Sequence, residues 1–135
     1  MAWTIGDTGF DMTLSSYVPE IIKNNLNAIT ASLFSRFNLD TKDIGYWAIH
    51  PGGRAILDKI EQSFGLKDDA LNASRAVLRN NGNMSSATIL FVLHELLNNP
   101  PSQAQISEGR NTTLAMAFGP GLSIETALLR RIEAR

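Results

Sequence analysis

Hydrophobic and polar positions along this chain fall into blocks whose period changes several times. From Ile44 to Ile49 nearly every position is apolar, and polar residues close the run on both sides. Such a run predicts a buried strand. Upstream, Ile21, Ile22, Leu26, Ile29, Leu33 and Phe37 recur at helical spacing, which predicts an amphipathic helix to about Phe37. Ser15-Ser16 offers it N-cap hydroxyls, and Pro19 suits its first turn. Before that helix, Trp3–Ile5 and Phe10–Leu14 flank Gly6-Asp7-Thr8-Gly9, the pattern of a strand pair around a glycine turn. After His50 the turn Pro51-Gly52-Gly53 leads into Ala55, Ile56, Lys59, Ile60 and Phe64 at helical spacing, ending at Gly65. Lys67-Asp68-Asp69 opens a further helix with Leu71, Ala73, Ala76, Val77 and Leu78 along one side, which ends near Asn80-Asn81-Gly82. The next segment, Ile89–Leu93 with Leu96 and Leu97, is apolar nearly all round and predicts a helix buried between layers. A polar loop from Asn98 to Gly109 ends it. Thr112–Phe118 and Leu122–Ile132 read as two strands joined by Gly119-Pro120-Gly121. Alternation of this kind favours an α/β fold with parallel pairing.

Composition narrows the class. One domain of 135 residues can bury a core without covalent staples. A 44% hydrophobic and 19% charged content is that of a soluble globular chain. The net charge of −1 supplies no basic field for nucleic acid or an anionic membrane. Cysteine is absent, which excludes disulfides, thiolate metal sites and a cysteine nucleophile within this sequence. The first residues lack the basic start and apolar core of a signal peptide, and no apolar run approaches the roughly 18–20 residues of a membrane span. The expectation is therefore a cytoplasmic protein. No internal repeat, low-complexity segment or domain boundary is visible. The three Asn-x-Ser/Thr matches, at Asn72, Asn83 and Asn111, read as chance.

Candidate chemistry gathers at Tyr46–Ala55. Pro51 cannot donate a ladder hydrogen bond, so it stops the strand and leaves His50 at its C-terminal tip. In open α/β sheets that is where ligands bind. Gly52 and Gly53 allow a sharp bend and close approach of backbone to a bound group. A histidine there is a candidate acid, base or hydrogen-bond donor near neutral pH. A structural histidine at a strand end is the competing reading, and the decapeptide alone leaves both open. Asn83, Ser85 and Ser86 open the apolar helix, where they either cap free N–H groups or face a ligand at the positive end of the dipole. The turn at Phe118-Gly119-Pro120-Gly121 is accounted for by turn chemistry, or lines a pocket. His94 falls on the solvated face and is assigned no role. The glycines form neither a P-loop nor a dinucleotide fingerprint, and nothing has metal-ligand spacing.

Three stretches in order, WAIHPGGRAILDKIEQSFGL, NASRAVLRNNGNMSSATILFVL and FGPGLSIETALLRR, resemble the C-terminal half of type III polyketide synthases, the chalcone/stilbene synthase family. GDTGFDMTLSSYVPEII resembles a bacterial version of the stretch that precedes them, so the resemblance covers essentially the whole chain. It implies the thiolase fold, with this chain as its second half, a mixed sheet of about five strands packed on helices. It also implies an acyltransferase that joins a CoA-linked starter to malonyl-CoA by decarboxylative condensation through a Cys-His-Asn constellation. The family histidine falls on His50 and the asparagine on Asn83, while the cysteine belongs to the first half.

By the same resemblance, Gly53 and Ala55 match a segment along the CoA pantetheine arm, and Ser85 a cavity-lining position. Phe118, Gly119 and Pro120 match part of the cavity wall, and Met12 falls where plant members carry a gatekeeper phenylalanine. Arg54 departs from the plant HPGGPA pattern and reads as a surface or CoA-phosphate contact. No tightly bound cofactor is expected, only CoA thioesters as substrates. The expected partners are malonyl-CoA, an acyl-CoA starter and a Cys-bearing N-terminal half or chain, with homodimerisation and without nucleic acid or membrane. Because the nucleophile is absent, stand-alone activity is in doubt. The alternative is a non-catalytic or split subunit that needs a Cys-bearing partner. A fatty-acid-type ketoacyl synthase fits less well, because Pro-Gly-Gly after His50 and GPGLSIET read closer to the chalcone synthase group.

Overall fold

The computed structural model describes residues 2–7, 9–13, 18–67, 69–100, 111–119 and 123–130. A hairpin comes first, β1 (Ala2–Gly6) paired antiparallel with β2 (Gly9–Thr13). Helix α1 (Val18–Phe37) follows, and then β3 (Ile44–Ile49). Three helices, α2 (Arg54–Phe64), α3 (Asn72–Asn81) and α4 (Thr88–Asn98), lead to the antiparallel pair β4 (Thr112–Gly119) and β5 (Ser123–Arg130). Strand β3 runs parallel to β4, with Trp47 opposite Leu114 and Ile49 opposite Met116.

The sheet β3-β4-β5 is the middle of three layers, which is why β3 has no polar alternation. Trp47 and Ile49 enter one core with Ile22, Leu26 and Phe34 of α1 and Ile56, Leu57 and Ile60 of α2. Tyr46 and Ala48 point the other way, into a second core with Ala73 and Val77 of α3 and Val92 and Leu96 of α4. Period-two geometry sends successive side chains to opposite faces, and both faces are covered. Trp47 also meets the Phe64 ring, with centroids 4.9 Å apart.

The ends of the helices follow local chemistry. Gly65 closes α2 at φ 59°, a conformation open to glycine, and Leu66 N–H returns to the Glu61 carbonyl. Asn38 does the same for α1 at φ 51°, with Leu39 N–H bonded to the Phe34 carbonyl. Arg75 of α3 reaches Asp58 at 2.8 Å and Glu61 at 2.9 Å on α2, so one guanidinium ties two helices together. Burial alone would lower the Arg75 pKa, but these two carboxylates outweigh it and hold it raised.

Three expectations change, and a fourth is described only in part. The sheet holds three strands among the described residues; β1 and β2 satisfy one another across their tight turn and form a separate two-stranded unit. Helix α3 begins at Asn72, not Lys67, because Ala70 and Asn72 N–H groups close turns on Lys67 and Asp69 while Leu71 is fully buried. Helix α4 buries one side only: Leu90 is 64%, Phe91 47% and Leu97 62% exposed. The returning strand is described over Ser123–Arg130, and the expected Leu122, Arg131 and Ile132 lie outside the described residues, as do Ser15-Ser16 and the loop 101–110.

Candidate active site

His50 sits where β3 stops. Its backbone N–H donates to the Met116 carbonyl at 2.8 Å, the last link of the parallel ladder. Its carbonyl accepts from Gly52 N–H at 3.0 Å, which turns the chain sharply at Pro51. The residue is 6% exposed, and burial lowers its pKa from the ordinary 6.5, so the imidazole is neutral at pH 7 and carries one N–H donor. Gly52 lies directly against the ring: a Cβ added there would come 3.8 Å from Cδ2, 4.0 Å from Nε2 and 2.9 Å from Ile56 Cδ1. The need for glycine is therefore steric at Gly52. At Gly53 it is not, because the backbone is extended and an added Cβ meets nothing within 4 Å.

Asn83 arrives from the other side. Its Oδ1 accepts from Ser85 N–H at 2.9 Å, which fixes the amide so that Nδ2 faces the PGG turn. Nδ2 lies 3.5 Å from the Gly52 carbonyl, long for a hydrogen bond, so its donors are barely spent. Thr88 holds this loop in shape: its fully buried hydroxyl accepts from Met84 N–H and donates to the Ser85 carbonyl, both at 2.8 Å. Ser85 is forced to φ 59°, a left-handed conformation that L-residues adopt at a cost. Thus Gly52 is the meeting point, with the His50 ring on its Cα and the Asn83 amide near its carbonyl. The buried His50 ring and the exposed Asn83 amide bring two N–H donors to this glycine, an arrangement that suits a developing oxyanion. Among the described residues no group of three or more titratable side chains could hold a metal ion.

A family model for the C-terminal domain of chalcone and stilbene synthases matches residues 1–133. The chain belongs to that family. It is also similar to PKS-I from the brown alga Ectocarpus siliculosus, with 31% identity and a TM-score of 0.84. That likeness covers 97% of this chain and 35% of that one. The fold is thus one half of the thiolase fold, and the family is that of the type III polyketide synthases, which are transferases.

Other positions expected of a chalcone synthase-like domain fall on several elements. Gly53 precedes α2, and Ala55 and Arg54 lie exposed in its first turn. Ser85 is exposed beside Asn83. Phe118 and Gly119 end β4, where a Cβ on Gly119 would come 2.5 Å from Ser123 Oγ, so the hairpin mouth admits only glycine without rearrangement. Pro120 lies outside the described residues. Met12 pairs with Trp3 in the separate hairpin, so the three-stranded sheet does not itself carry it. His94 is exposed and hydrogen-bonded within its own helix to Asn98. Two hydroxyls at the site escaped the sequence reading. Thr88 braces the loop before α4, and Ser74 faces β3; both are single hydroxyls on otherwise buried helix faces, which is the signal that marks them. No helix among the described residues is long and apolar enough to cross a membrane.

Proposed function

We propose that this domain supplies the His/Asn half of a type III polyketide synthase active site and acts on malonyl-CoA and a CoA-linked starter. One observation supports this above the others: Asn83 Nδ2, its donors nearly unspent, stands beside the same glycine that the His50 ring covers. A thiolate attacks the starter thioester, forms the acyl-enzyme and expels CoA. Decarboxylation of malonyl-CoA then breaks the C–C bond, releases carbon dioxide and leaves the electron pair as an enolate. His50 N–H and Asn83 Nδ2–H donate to its oxygen, each worth roughly 3–4 kcal/mol in comparable sites. The enolate carbon attacks the acyl group and expels the thiolate.

The sequence contains no cysteine, so in this reading the thiol comes from another half or chain. Its negative charge would offset the burial that keeps His50 neutral, and so hold the thiolate–imidazolium pair. The exposed Leu90, Phe91 and Leu97, beside an apolar groove of about 200 Å³ lined by Tyr46, Leu93 and Leu129, form the face on which that half would pack. Gly53 and Ala55 lie along the CoA arm, with Arg54 free to meet its phosphates. Ser85, Met12 and the Phe118–Pro120 loop shape the cavity. The whole enzyme is a homodimer that uses CoA thioesters and needs no bound cofactor. The test is malonyl-CoA decarboxylation by this chain assembled with the Cys-bearing half. His50→Ala and Asn83→Ala should each slow it by roughly 100- to 1000-fold. If neither change slows it, the assignment fails.

A further inference from the structure

Among the described residues strand β3 pairs with β4 on one side only, so the groups on its other edge need partners from elsewhere. At the position just before His50 a single side chain provides both. Ser74 of α3, fully buried, donates its hydroxyl to the Ile49 carbonyl at 2.7 Å and accepts from Ile49 N–H at 3.2 Å. The Ile49 carbonyl and the His50 N–H belong to one peptide plane. That plane is therefore pinned at both ends, by Ser74 on one edge and by the Met116 carbonyl on the other. Its tilt sets the direction in which the His50 Cα–Cβ bond leaves the strand, and the Gly52 N–H bond to the His50 carbonyl holds the following plane.

We propose that Ser74 is a positioning residue for His50, clamping the peptide that carries the imidazole so that its N–H points at the same spot as the Asn83 amide. The catalytic consequence rests on the oxyanion role given to His50 above; the clamp itself rests on geometry. Donor direction matters because an oxyanion contact works only within a few tenths of an ångström of its target. A helix without this hydroxyl would still cover the strand, but two backbone groups would be left unpaired and the plane free to rock.

The chain has two histidines, so their ring signals are separable by NMR in the labelled full-length chain. In Ser74→Ala the His50 ring signal should move or broaden, and the Ile49 amide should exchange with solvent about tenfold faster or more. The His94 signal should stay in place, and Ser74→Thr, which keeps the hydroxyl, should restore the His50 signal. If the alanine variant does not fold, Ser74→Cys keeps the volume with a weaker donor and should show the same changes in smaller measure. In the assembly with the Cys-bearing half, Ser74→Ala should lower kcat for decarboxylation about tenfold while KM moves little. A folded Ser74→Ala or Ser74→Cys chain with an unmoved His50 signal and wild-type Ile49 exchange would overturn the proposal. Loss of the His50 signal's position together with unimpaired decarboxylation in His50→Ala would leave the clamp standing and remove the reading of function instead.

Discussion

Gly52 illustrates how much of the site is decided by single atoms. A methyl group there would sit 2.9 Å from Ile56 Cδ1, which must shift, and in ordinary contact at 3.8 Å with the imidazole Cδ2. Gly52→Ala is expected to destabilise the fold by about 1 kcal/mol, read as a lower thermal midpoint, as the end of Ile56 gives way and the ring stays in place. Gly53→Ala at the next position should leave the midpoint nearly unchanged, which makes the pair a controlled comparison. His50 itself carries a pH signature. Its folded pKa lies below the ordinary 6.5, so below about pH 6.5 the unfolded chain binds a proton that the folded chain refuses. Stability contributed by the neutral ring is full above that point and falls as the pH drops toward the folded pKa. Wild type should therefore lose more thermal stability between pH 7 and 5 than His50→Gln, as measured by calorimetry at matched ionic strength. The histidine and the asparagine were legible in the sequence through Pro51, the glycine turn and the family stretches. Their convergence on Gly52 was not, because a 31-residue separation says nothing about which carbonyl an amide will face.

Elements place these residues. Strand β3 was readable as a buried strand from its unbroken apolar run, and the structure shows that both its faces meet helices. The start of α3 was misplaced because acidic residues at Asp68-Asp69 mimic a first helical turn, whereas burial of Leu71 and two local turns delay it to Asn72. Helix α4 was read as buried all round because composition cannot tell a core face from one that awaits a partner. Its N-terminal loop depends on Thr88, whose hydroxyl serves Met84 N–H and the Ser85 carbonyl at once. Thr88→Val keeps the shape and removes both bonds. It should cost about 1–3 kcal/mol in stability, measured by denaturant titration, and let Ser85 relax from its left-handed backbone.

At the scale of the molecule, three layers put the C-terminal end of β3, the loop before α4 and the end of β4 on one side of the sheet. The outer face of α4 stays uncovered by any described residue of this chain. Leu90→Asp and Leu97→Asp should alter the thermal midpoint of the free chain only slightly, since both side chains are already in water. The same changes should sharply weaken binding to a Cys-bearing half, as followed by calorimetric titration. The most direct measurement is a double-mutant cycle of His50→Ala and Asn83→Ala on malonyl-CoA decarboxylation by the assembled enzyme. Two donors to one enolate oxygen should give singles that each lose roughly 100- to 1000-fold and a double variant that loses far less than their product. Losses that multiply fully, or singles that retain wild-type rates, would contradict a shared oxyanion site.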